Sequence, residues 1–338
     1  MRAQALAFAG VIIKTIYPVI HRLNPTHPTL SNRPPCPIQL GLRFLILYFL
    51  VAGTTPAFSD SENLDSTSLK NSPPWLFESF TPMGDIRRYA GETIKFDIDF
   101  MVFSNAAEVQ ISLYEEDGKL KSSMVGETKG FIGFMTSYVK HIYLSTFDII
   151  DDGKRLRTST FERKIIVGEN TERIVHAMDY HAMKHYYFYY KNGELIEQSD
   201  DPLDKEVILD DTLATFYNFR NGVYGKIEAG KSYTASTFDT KKLAGDTAKT
   251  ITIKTLTHEA RKKFEEDHDS GPGASMLMEV MVPSDLFETK NGETYFWSSE
   301  HLVPTKVIIK DFLLFGDLNV KLAKRLFREQ DRSQAEKK

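Results

Sequence analysis

Cysteine is nearly absent: Cys36 is the single one in 338 residues. It lies upstream of a segment that reads as a cleaved export signal. A mature chain therefore has no thiol, which excludes disulfides, thiol catalysis and Cys-ligated metal. No cysteine follows the apolar run to accept a lipid, so lipoprotein processing is excluded too. Acidic residues are missing from the first 59 positions, which carry five basic side chains: Arg2, Lys14, Arg22, Arg33 and Arg43. Their removal makes the net charge of −4 five units more negative, and an acidic body argues against a nucleic-acid partner. The apolar run Phe44–Gly53 is far shorter than the ~20 residues a helix needs to cross a bilayer. Gly-x-Ser-x-Gly and His-Glu-x-x-His are both lacking, so two common hydrolytic sites have no nucleophile or ligand set.

What is present begins with that leader. Arg43 flanks the apolar run, and Pro56-Ala57-Phe58-Ser59 supplies small residues at the cleavage positions, the pattern of a signal peptide. We expect residues 1–59 to be an N-terminal extension and signal, with the mature chain starting near Asp60, and expect export to the periplasm. Met1 to Ile20 is a second apolar stretch, which suggests a translation start near Leu40 or an N-terminal anchor. Residues 60–88 read as a Pro- and Ser-containing linker and docking segment, residues 89–325 as one β-rich domain, and residues 326–338 as a charged tail.

From Gly91 the period is two. Ile94, Phe96, Ile98 and Phe100 alternate with Lys95, Asp97 and Asp99, and Val109, Ile111 and Leu113 repeat the pattern, as in strands with one wet face. Further strands are expected over 138–149, 156–167, 173–180, 184–190, 232–238, 249–258, 275–282, 294–298, 305–312 and 317–326. Asp-Gly and Asn-Gly pairs separate several of them. One helix interrupts the series: Asp210 or Asp211 caps it, Leu213, Phe216 and Tyr217 share a face, and Gly222 stops it. The segment 261–269 is charge-dense and reads as an exposed helical turn or loop. Twenty-three Phe and 15 Tyr suffice for a sizeable core.

Candidate chemistry is sparse. His181 and His185 share a strand face but stand about 13 Å apart at 3.3 Å per residue, so they hold one metal ion only if a turn brings them together; His176 has the opposite parity. Solvent-facing histidines are the simpler reading. Asp97 and Asp99 resemble a carboxylate pair but fit the charged wet face of a strand better. The run His185-Tyr186-Tyr187-Phe188-Tyr189-Tyr190 places aromatics on both faces, so each face is buried or functional. Tyr187, Tyr189, Phe216, Tyr217 and Met278 are the candidate ligand contacts, Met278 because thioethers adapt to irregular apolar ligands; burial is the competing reading for all five.

Three pieces resemble a bacterial family of exported proteins called domain of unknown function 3108. They are Gly91-Glu92-Thr93-Ile94-Lys95-Phe96-Asp97-Ile98 with Ala106-Ala107-Glu108-Val109; Asp211-Thr212-Leu213-Ala214-Thr215-Phe216-Tyr217-Asn218-Phe219-Arg220 with Ala229-Gly230-Lys231-Ser232-Tyr233; and Phe296-Trp297-Ser298-Ser299-Glu300-His301-Leu302-Val303-Pro304 with Phe315-Gly316-Asp317-Leu318. Thr212 stands where the family tends to have Pro, and Glu300 where Asp is usual. The resemblance spans about residues 89–325 and implies an envelope protein with a curved sheet and a helix; it assigns no catalytic residue.

The expected fold is mainly β: a curved antiparallel sheet or partly closed β-barrel with one packed amphipathic helix. The expected function is non-enzymatic and cofactor-free, binding an apolar ligand, a lipid or a lipidated envelope partner, with peripheral membrane association allowed and no nucleic acid bound. Docking on a protein through the sheet edge is the alternative, and a metal-dependent enzyme the third reading.

Overall fold

The computed structural model describes residues 83–100, 102–238, 249–281, 293–310 and 317–327; the segment expected to be an export signal, most of the expected linker and the expected tail beyond residue 327 lie outside them. Strands β1 (Glu92–Phe100), β2 (Phe103–Glu116), β3 (Lys119–Thr128), β4 (Lys140–Ile150), β5 (Arg155–Val167), β6 (Asn170–Asp179), β7 (Lys184–Lys191) and β8 (Glu194–Pro202) form an antiparallel meander. A second meander contains β9 (Ser232–Thr237), β10 (Lys249–Thr255), β11 (Met276–Met281), β12 (Glu293–Ser298), β13 (Pro304–Ile309) and β14 (Leu318–Phe327). Pairing of β1 with β14 joins them into one 14-stranded antiparallel sheet whose edges are β8 and β9.

Local chemistry explains the hairpins. Asp117-Gly118 and Asn192-Gly193 both adopt positive φ, the conformation a two-residue turn needs to follow the twist of its strands. Bulges interrupt the β1–β2, β1–β14, β4–β5, β7–β8 and β12–β13 ladders, and each adds twist. The sheet curls, so that Phe96 and Ile111 of the first meander share one core with Ile253, Phe296 and Val320 of the second.

Helix α1 (Gly130–Thr136) joins β3 to β4, α2 (Thr212–Arg220) follows β8, and α3 (His258–Glu265) follows β10. Helix α1 goes beyond the sequence reading, and α3 starts earlier than the charge-dense segment it overlaps. Helix α2 differs in character: all nine residues are buried, so it has no wet face and is not amphipathic. It lies inside the curl over β3, β4 and β5. The Asp211 carboxylate caps it by accepting from Leu213 N at 2.6 Å and Ala214 N at 2.9 Å. Asn218 exchanges two 2.8 Å hydrogen bonds with the backbone of Leu156 in β5. Helix α3 has no buried residue and covers a small convex-face cluster of Leu277, Trp297 and Ile308.

Candidate functional site

Because α2 packs mainly on β3–β5, the concave face continues past it along β6 and β7. The β6–β7 hairpin turns through residues 180–183, and its register sets His176 opposite Tyr187 and Met178 opposite His185. His176 and His185 therefore share the concave face, with Nδ1 of His176 and Nε2 of His185 2.9 Å apart. One ring must donate and the other accept, so the facing nitrogens hold one proton between them. Burial pushes the His185 imidazole down to about 4, against a smaller upward pull from Asp201.

Aromatic rings extend this wall. His176 lies 5.4 Å from Tyr187, 6.0 Å from Phe161 and 4.9 Å from Phe238, centroid to centroid. Phe238, just past β9, also reaches His185 at 5.5 Å, so the second meander closes over the first here. Towards the β7–β8 hairpin the wall carries Arg163, which faces Tyr143 across the β4–β5 ladder, and Tyr189, which faces Ile174 across the β6–β7 ladder. Tyr189 is half-buried. Arg163 is only 5% exposed. Its Nε has no hydrogen-bond partner, and no carboxylate among the described residues forms an ion pair with it.

The expected site residues thus separate. Tyr187 and Tyr189 line the concave wall. Phe216, Tyr217 and Met278 lie in the central core with 0% exposure; α2 fills the space that a ligand at those residues needs. His181 is exposed in the hairpin turn while His185 is buried on the wall, so the turn that was to unite them keeps them apart and unites His185 with His176 instead. Strand parity misassigned His176 because the count ran through the turn. No cluster of three or more metal-ligating side chains occurs among the described residues. Arg163 escaped the sequence reading, although its place between Phe161 and Ile165 on the apolar parity of β5 marks it as a charge on a buried face.

A curled antiparallel sheet with an internal helix and an aromatic wall defines the class of protein. The chain belongs to the family described as "Protein of unknown function (DUF3108)", which matches residues 95–323. Among solved structures it is similar to a beta-barrel-like protein of domain of unknown function DUF1849 from Brucella abortus. That likeness covers 72% of this chain and 99% of the other, at 12% identity and a TM-score of 0.41. No curated protein matches the chain.

Proposed function

We propose that this is a non-enzymatic, exported envelope protein that binds an apolar ligand, a lipid or the acyl group of a lipidated partner, on the concave wall beyond α2. One observation carries this reading: Tyr189 is half-buried beside the buried Tyr187, on a stretch of the concave wall beyond the strands that α2 packs on. Aromatic side chains there offer apolar area to a ligand, and removing such surface from water is worth ~25 cal/mol per Å². Aromatic and apolar side chains dominate the described residues of this wall, a lining that favours binding.

The test is a titration of the full chain and of Tyr189→Arg with a hydrophobic fluorescent dye, competed by decanol. Saturable binding near one-to-one is expected, weakened at least tenfold by Tyr189→Arg with the melting temperature unchanged. Binding that is unsaturable, or indifferent to the substitution, overturns the reading and leaves the exposed β8 edge as a protein-docking strand. A rise in melting temperature with zinc that is lost in His185→Gln points instead to the metal reading.

A further inference from the structure

We infer that the ligand of the concave wall carries an anionic head group, a carboxylate or phosphate, which pairs with Arg163. This rests on the apolar-ligand reading and specifies its chemistry. An arginine is charged at any physiological pH, and a guanidinium removed from water without an acid is costly unless an opposite charge supplies the missing hydrogen bonds. Other largely buried arginines have such partners: Arg155 of β5 bonds Asp210 at 2.9 Å, and Arg220 of α2 and Arg325 of β14 both bond Glu92. Arg163 faces Tyr143 and Ile174 instead, with Nε buried and unpartnered; the acid on the same face, Glu172 opposite Ile165, hydrogen-bonds Tyr189 and forms no ion pair with the guanidinium. Its planar fork suits two oxygens of a carboxylate or phosphate. Its place near Tyr189, towards the β7–β8 hairpin, puts the head group at one end of the aromatic wall and the chain along Tyr187.

Calorimetric titration of the full chain with decanoate, decyl phosphate and decanol tests this. Either anion is expected to bind at least tenfold more tightly than decanol, and the ratio between the two anions identifies the head group. Arg163→Met should abolish the preference, and Arg163→Lys should restore part of it. Anions and decanol binding with equal affinity overturns the head-group inference while sparing the apolar-ligand reading. No binding of any of the three overturns both. The comparison on the unmodified chain holds even if a variant fails to fold.

A separate observation, independent of any ligand, concerns the tip of the first meander. Val102, Phe131, Phe134 and Tyr138 are 80%, 53%, 69% and 53% exposed, and the Phe131 ring stacks on Phe103 at 5.5 Å, beside Val102. The platform beneath them is built rather than loose. Ser137 and Tyr138 both take positive φ, which side-chain-bearing residues seldom do. The Tyr138 ring lies so close to Gly133 that a Cβ there would sit 2.8 Å from it, and Thr128 and Thr136 hydroxyls bond at 2.9 Å beneath the helix. The geometry points to insertion of this tip into the interface of a lipid bilayer. Four protruding apolar side chains are too few for a stable protein interface, which takes ~20–30 residues a side, but suit anchoring in an interface where aromatics are favoured. Residues 102–107 and 129–139 contain no acid. Exposed Asp117, Asp151 and Asp152 occupy the hairpins at the other ends of β2, β3 and β4; at the tip itself Lys129 is ion-paired with Glu108 and Asp99 accepts from Asn105 N, so insertion rests on apolar area rather than on charge.

Phe134→Trp is the reporter. With vesicles of phosphatidylethanolamine and phosphatidylglycerol, the difference emission between this variant and the unmodified full chain should shift to the blue and be quenched by bromolipid. Phe131→Ser/Phe134→Ser should lower vesicle affinity at least tenfold relative to the same chain unmodified. An unshifted tryptophan quenched only by iodide overturns the proposal, as does self-association that the double variant abolishes.

Discussion

A buried imidazole registers its surroundings through its proton. For His185 the folded state holds the ring near 4 against an unfolded value near 6.5. Between those values the unfolded chain binds more protons, so this residue's contribution is complete above pH 6.5 and is lost as pH falls towards 4. The total is at most ~3.5 kcal/mol, since each tenfold change in proton affinity is worth ~1.4 kcal/mol. Asp211 opposes it over nearly the same range: burial raises its carboxyl to about 6, so its contribution is complete below its unfolded value and is lost as pH rises through 6. Subtracting the melting curves of His185→Gln from those of the unmodified protein across pH 4–7 isolates the histidine. The difference should grow with pH up to 6.5; a flat difference means the ring is solvated. The pairing behind this was invisible in the chain, because a residue count cannot tell where a hairpin turns. Arg163 is legible by parity, as a charge on the buried face of β5.

Elements were legible where buried positions hold large apolar residues. Strand β1 announces itself by Ile94, Phe96 and Ile98. Strand β3 does not, because its inward positions after Leu120 are Ser122, Met124, Gly126 and Thr128; small residues there leave room for α2. Strand β8 is exposed along nearly its whole length, so no burial alternation marks it. Helix α1 contains two glycines in seven residues, which lowers its propensity, and tertiary packing holds it. Helix α2 was found from Leu213, Phe216 and Tyr217, but its polar residues mimicked a wet face: Asn218 and Arg220 are as buried as Phe216, satisfied by Leu156 and Glu92. Truncating Phe216 to Ala should therefore cost about 3–5 kcal/mol, the range for a fully buried Phe, in a reversible melt. An unchanged midpoint shows the helix to be dispensable to the core.

At the scale of the molecule, the two meanders are held together by the β1–β14 ladder and by an ion triad beside it. Glu92 of β1 accepts from Arg220 of α2 at 2.8 Å and from Arg325 of β14 at 2.7 Å, and all three side chains are at most 3% exposed. Burial pushes the Glu92 carboxyl up, but Arg220 and then Arg325 outweigh it and hold the group below its ordinary value. Its contribution to stability is present above pH ~4.5 and is lost as pH falls through the lowered folded value. The triad has one negative and two positive charges, which fixes the order of damage on removal. Glu92→Gln leaves two guanidiniums facing each other without an anion. Arg220→Met and Arg325→Met each leave a balanced pair. Breaking a buried pair costs ~3–5 kcal/mol, so Glu92→Gln should reach or exceed that range and each arginine variant should cost less. Calorimetry on the three variants decides it. Because the triad touches both meanders and the internal helix, the unmodified domain should unfold in a single transition, and Glu92→Gln is the variant expected to split it. A ranking with either arginine variant worst shows that packing of the long side chains on Tyr89 and Phe216, 4.6 and 4.8 Å from the Arg220 guanidinium, outweighs the charge balance.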